Sequence, residues 1–125
     1  MIGYDPARAG IDVLLELDGV TAEVGGGFWV SFSVSRVPPD GGRPHGIQYS
    51  LTLHAPGGKR VLGYDNAHAP KQRSNPSRRA TKPLAFDHVH KSETKVLHYR
   101  FETPASLLED FWSDVDAFLR KEGVQ

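Results

Sequence analysis

Between Phe28 and Val37 the chain alternates without a break: Phe28, Val30, Phe32 and Val34 are separated by Trp29, Ser31, Ser33 and Ser35. A period of two places one set on each face of a strand, so this segment predicts a strand with one buried face. Ile47 to His54 repeats the pattern with Ile47, Tyr49, Leu51 and Leu53, and the PPDGGRPHG between the two is a loop by its Pro and Gly content. The two strands are expected to pair. Ala55 to Gly58 then supply a tight turn into a strand from Lys59 to Tyr64, which ends at GYDNAH. Upstream, Ile11 to Leu17 reads as strand-like, Asp18 and Gly19 make a turn, and Gly25 to Gly27 separates a short Val20 to Val24 run from the long strand. Downstream, Lys95 to Phe101 alternates again. The period then changes: Leu107, Leu108, Phe111, Trp112, Val115, Phe118 and Leu119 form one apolar stripe on a helix. Thr103 is its predicted N-cap, Pro104 its first residue, Glu109 and Asp110 lie early, Arg120 and Lys121 late, and Gly123 closes it. The expected fold is α+β, an antiparallel meander of about five or six strands with the C-terminal amphipathic helix packed on one face.

A length of 125 residues, 38% of them hydrophobic, suits one domain over residues 1–125. With no cysteine the chain has no disulfide, no thiolate zinc site and no thiol nucleophile. Apolar runs are too short to span a bilayer, which needs about 20 residues. Met1 to Gly10 lacks a basic start followed by an apolar core, so no membrane association is expected and the cytoplasm is the expected location. Fifteen basic and 15 acidic residues cancel overall, but unevenly. Residues 1–58 carry a net −3, residues 59–100 a net +7, and residues 101–125 a net −4. Four of the six histidines, His68, His88, His90 and His98, fall in the basic middle. Between about residues 66 and 83 periodicity is lost in a long basic loop, where Lys71, Arg73, Arg78, Arg79 and Lys82 suit a polyanion.

The most informative short stretch is Asp87-His88-Val89-His90-Lys91. In an extended chain His88 and His90 project from one face about 6.5 to 7 Å apart, a spacing that brackets a phosphate. An imidazole ordinarily titrates near neutral pH. In metal-independent RNA cleavage one imidazole can take the 2′-hydroxyl proton while the other, protonated, donates to the leaving 5′ oxygen. Lys91 or a loop arginine would neutralise charge on the phosphorane, and Asp87 or Asp65 would fix a histidine tautomer. Tyr64, Asp65 and His68 add a phenol, a carboxylate and an imidazole at the mouth of the loop, although Asp65 and Asn66 also suit a turn. The expected catalytic set is therefore His88, His90, Lys91, Asp87, Tyr64, Asp65 and His68. Lys71, Arg73, Arg78, Arg79, Lys82 and Asn66 are expected to hold substrate, and no metal or other cofactor is required. Two alternatives use the same residues. His68, His88, His90 and a carboxylate could hold a divalent ion for a metal-dependent nuclease or nucleotidyl-transfer enzyme. A non-catalytic protein could instead use only the basic loop to engage nucleic acid or an acidic partner.

A strand ending in GYDNAH, a later DHVH, the strand VLHYRF and the helix LLEDFWSDVDAFL together resemble the TumE-like toxins of bacterial and archaeal toxin-antitoxin loci, over residues 28–120. By that resemblance Tyr64, Asp65, Asn66, Asp87, His88 and His90 occupy motif positions. It implies the toxin of a two-gene module, neutralised by a cognate antitoxin that often carries a helix-turn-helix DNA-binding domain. Ala69 to Pro83 departs from the pattern by its length. An endoribonuclease acting on RNA then follows from the residue chemistry and from the behaviour of other small toxins.

Overall fold

A computed structural model describes residues 10–39, 46–66, 87–91 and 95–124. Among them are two helices and six strands, in the order α1 (Ile11–Glu16), β1 (Thr21–Gly25), β2 (Phe28–Arg36), β3 (Ile47–His54), β4 (Arg60–Asp65), β5 (His88–His90), β6 (Val96–His98) and α2 (Pro104–Lys121). The strands form one sheet in the order β1-β2-β3-β4-β5-β6, every neighbouring pair antiparallel. This is the expected α+β meander with a C-terminal helix. The basic loop, with His68, Lys71, Arg73, Arg78, Arg79 and Lys82, lies outside the described residues.

Strict alternation does what it predicts in β2 and β3. Val30, Phe32, Val34, Ile47, Tyr49, Leu51 and Leu53 are all buried, while the residues between them are half-buried or exposed. Onto this apolar face α2 lays Leu107, Phe111, Val115 and Leu119, each buried. The spacing of four keeps all of them on one stripe. Phe111 meets Phe32 and Tyr64 edge to face, at ring separations of 5.7 and 5.9 Å. The helix starts as its sequence implies: the Thr103 hydroxyl accepts from the Ser106 N–H at 3.0 Å, and the Ser106 hydroxyl accepts from the Thr103 N–H at 3.1 Å. Its first turn carries no acid. Asp110, one turn further in, instead accepts from the Tyr99 hydroxyl at 2.6 Å.

Two expectations need correction. Ile11 to Leu17, read as strand-like, is the helix α1. Six apolar-rich residues fit either period, and the packing decides: Ile11 and Leu14 are buried against the core while Val13, which a strand would bury with Ile11, is 55% exposed. Asp18, just beyond α1, accepts from the Val34 N–H at 2.9 Å and so ties this segment to β2. The last strand is also shorter than Lys95 to Phe101. Pairing ends at His98, after which the Tyr99 N–H donates to the Asp87 carbonyl at 2.8 Å and the chain turns in towards α2. Tyr99 and Phe101 then pack against Tyr64 and Tyr49.

Candidate active site

Opposed residues in an antiparallel ladder share a face, so the register sorts every side chain. Tyr64 opposes Val89 on the face that α2 covers. On the other face the register lines up three rows across the sheet. The first is Glu23, Trp29, His54 and Arg60; the second Thr21, Ser31, Thr52, Gly63, His90 and Val96; the third Ser33, Ser50, Asp65, His88 and His98. Histidines two apart on β5 therefore stand beside the carboxylate at the end of β4.

The two imidazoles converge on that carboxylate. His88 Nε2 lies 2.6 Å from Asp65 Oδ1, and His90 Nε2 lies 3.0 Å from Asp65 Oδ2. The rings sit edge to face with centroids 4.8 Å apart. Asp65 is 8% and His88 5% exposed, whereas His90 is only half-buried and is the ring that meets incoming molecules. Each Nε2–H donates to one carboxylate oxygen, which fixes the tautomer, and on the half-buried His90 the ring atom that can exchange a proton is then Nδ1. Removal from water lowers the pKa of His90 below its usual 6.5; Arg60 and His88 act in the same direction, and Asp65 acts against them. His90 is thereby kept neutral at pH 7. One ligand atom from each of Asp65, His88 and His90 lies within 4.8 Å of the others, so the same three residues could hold a divalent ion.

Asn66 builds the end of β4. It is 1% exposed, its side-chain oxygen accepts from the Tyr49 N–H at 2.9 Å, and its amide donates to the Ile47 carbonyl at 2.9 Å. The amide thus substitutes for ladder bonds where β4 leaves β3, and its hydrogen bonds are spent on positioning its neighbour Asp65.

Sequence neighbours of the histidines do not join them. Asp87 and Lys91 alternate with His88 and His90 and so fall on the face that α2 covers. Asp87 is buried and accepts from the Tyr49 hydroxyl at 2.6 Å. Lys91 Nζ lies 2.6 Å from Asp114 of α2, and the Tyr64 hydroxyl donates to the same carboxylate. Burial, with the Asp114 hydrogen bond, raises the Tyr64 phenol well above its ordinary range, so it remains protonated. Of the expected residues, the structure gathers Asp65, His88 and His90 on one face and separates Tyr64, Asp87 and Lys91 onto the other.

Among the described residues, a cation that sequence reasoning missed stands on the histidine face. Arg60 opposes His54, and its side chain folds back over Gly63: a Cβ on that glycine would lie 3.4 Å from Arg60 Cδ and 3.8 Å from its Nε. Gly63 is directly opposite His90. Arg60 therefore stands beside the imidazole whose titration it influences. No helix among the described residues is long and apolar enough to cross a membrane.

Neither a curated protein nor a solved structure matches the chain. A family model described as toxin TumE matches residues 14–119, a span that takes in all six strands, the Asp65–His88–His90 cluster and nearly all of α2. On that match the chain belongs to the TumE toxin family.

Proposed function

We propose that the chain is a toxin that cleaves RNA, with His90 and His88 as the acid–base pair and Asp65 orienting both. Membership of the toxin family makes it the toxin component of a toxin-antitoxin system and implies an antitoxin partner; the RNA chemistry is read from the residues. One observation carries it: two imidazoles donate to the two oxygens of a single carboxylate on the face of the sheet away from α2. His90, neutral at pH 7, takes the proton of a ribose 2′-hydroxyl through Nδ1. The 2′ oxygen attacks the adjacent phosphorus, the bond to the 5′ oxygen breaks, and His88 supplies the proton that the leaving oxygen needs. The products are a 2′,3′-cyclic phosphate and a free 5′-hydroxyl. Arg60 faces the phosphate and offsets the charge that grows on its oxygens. Lys71, Arg73, Arg78, Arg79 and Lys82 add sequence-independent affinity for the backbone, and a helix-turn-helix antitoxin is the expected partner.

The test is incubation of the purified chain with a labelled mixed-sequence RNA, with and without chelator, beside a His88→Ala, His90→Ala variant. Cleavage is expected to survive the chelator and to disappear in the variant, whose circular dichroism stays native. A double variant as active as the parent would sink the assignment. A second reading rests on the 4.8 Å clustering of ligand atoms: loss in chelator with recovery on adding zinc or manganese would make Asp65, His88 and His90 metal ligands in a hydrolytic nuclease.

The pH profile has a definite sign. A general base works only when neutral, and the pKa of His90 is lowered, so the acidic limb of kcat/KM is expected to have its midpoint below 6.5. Replacing Arg60 with Gln removes a cation that disfavours the protonated ring, so the limb should move up. Asp65→Asn removes the anion that favours it and should move the limb of any residual activity down. A profile unmoved by both changes would remove His90 from the role of base.

A further inference from the structure

Among the described residues, the face opposite α2 carries one large aromatic beside small hydroxylated side chains. Trp29 is half-buried there, on the side of the sheet that contributes nothing to the apolar core. Its ring lies flat on His54, with centroids 4.1 Å apart and planes 10° from parallel. His54 is itself fixed at both nitrogens. Nδ1 is 3.0 Å from the Gly58 carbonyl, which only an N–H can satisfy, and Nε2 is 2.9 Å from the Thr52 hydroxyl. An imidazole tied at both ends is a support for its neighbour, and the indole needs no induced ordering before something stacks on it.

The position of this pair says what it would take. Arg60 opposes His54 and leans over Gly63, the partner of His90, so a cation lies between the aromatic pair and the imidazole. Strand spacing and rise put Trp29 on the order of 16 Å from His90, inside the length of a single-strand site, which covers roughly 4 to 16 nucleotides. Glu23, the exposed partner of Trp29 on β1, repels phosphate on the far side. His54 covers the indole face turned to β3, so a base stacks on the face turned to β1, and the repulsion keeps its backbone off that edge, running over the aromatic pair towards Arg60. Resting on the RNA-cleavage reading above, we propose that Trp29, held by His54, is the stacking platform for a base of single-stranded RNA whose backbone passes Arg60 on its way to His90.

The experiment uses the full chain with Trp112→Phe, which leaves Trp29 as the only indole, and a mixed-sequence octanucleotide with 2′-O-methyl riboses, which resists attack through the 2′ oxygen. Saturable quenching of Trp29 fluorescence by the octanucleotide, and none by inorganic polyphosphate, is expected. By anisotropy of the same octanucleotide carrying a 5′ fluorescein, which needs no indole in the protein, Trp29→Leu should bind about 5- to 150-fold more weakly, the range for one stacked base, and Trp29→Phe should restore most of the loss. Thermal melts confirm that each variant is folded. Equal affinity in Trp29→Leu, equal quenching by polyphosphate, or quenching by the antitoxin alone overturns the platform, the last in favour of a protein interface. Cleavage of unmodified RNA is assayed in parallel. Quenching without cleavage would remove the catalytic reading and keep the platform, while cleavage with binding indifferent to residue 29 would do the reverse.

Discussion

Replacing Asp65 with Asn is expected to lower RNA cleavage by about two to four orders of magnitude while leaving the fold intact, the range that a positioned acid–base group contributes. The carboxylate accepts an Nε2–H from both His88 and His90. An amide of the same size has one acceptor oxygen and one donor nitrogen, so it can satisfy one ring only. The other must turn a lone pair towards the amide and carry its proton on Nδ1, where a general base needs the lone pair. The variant therefore loses charge and tautomer control together. Its circular dichroism and melting curve should stay close to those of the parent, since the Asn66 bonds that close β4 onto β3 are untouched. Retention of more than a tenth of the parent rate would show that Asp65 does not govern the histidines. The same variant separates the two chemistries. An Asn oxygen can still ligate a metal, so a hydrolytic metal site would be rescued in part by excess divalent ion, and the acid–base site would not.

The residues that build this cluster were legible to different degrees. The same-face placement of His88 and His90 follows from a period of two alone, and the structure has it so. The same period already separates Asp87 and Lys91 from them; closeness along the chain had grouped what the pleat divides. Asp65 joins the pair only through the register of β4 against β5, across a stretch of some 20 residues with no periodicity. Arg60 carries no local signal at all. It reaches His90 because the ladder shifts between Leu53 and His54 and because Gly63 has no side chain to keep the guanidinium away. The buried hydroxyl-to-carboxylate bond from Tyr49 to Asp87 joins residues 38 apart and is equally silent in sequence. The fold was easier because β2, β3 and α2 each repeat one period over eight or more residues. The short α1 does not, and its type is decided by which side meets β2.

The helix that covers the opposite face sets the second large effect. Phe111→Ala is expected to destabilise the protein by about 3 to 5 kcal/mol, a large share of a total stability of about 5 to 15 kcal/mol. The ring is fully buried and meets Phe32, Tyr64 and Trp112, so truncation leaves a cavity bounded by other aromatics that are too rigid to close over it. Thermal unfolding should occur about 10 to 25 °C lower. Trp112→Ala is the control. Its neighbour on the same helix is larger but 41% exposed, so the cost should be well under that of Phe111→Ala. Equal costs would mean that α2 is held by its surface and not by this stripe. The loss should also reach the catalytic face. Tyr64 is gripped from the helix side by Phe111 and by the Asp114 carboxylate, and Asp114 also holds Lys91. Those two contacts clamp the end of β4 and the end of β5, the strands that carry Asp65 and the two histidines on their other face. Loosening α2 therefore allows β4 and β5 to move against each other, and cleavage by Phe111→Ala should fail at a temperature below its own unfolding midpoint. If activity instead tracked the folded fraction all the way to the transition, the sheet alone would be sufficient to hold the two imidazoles on Asp65.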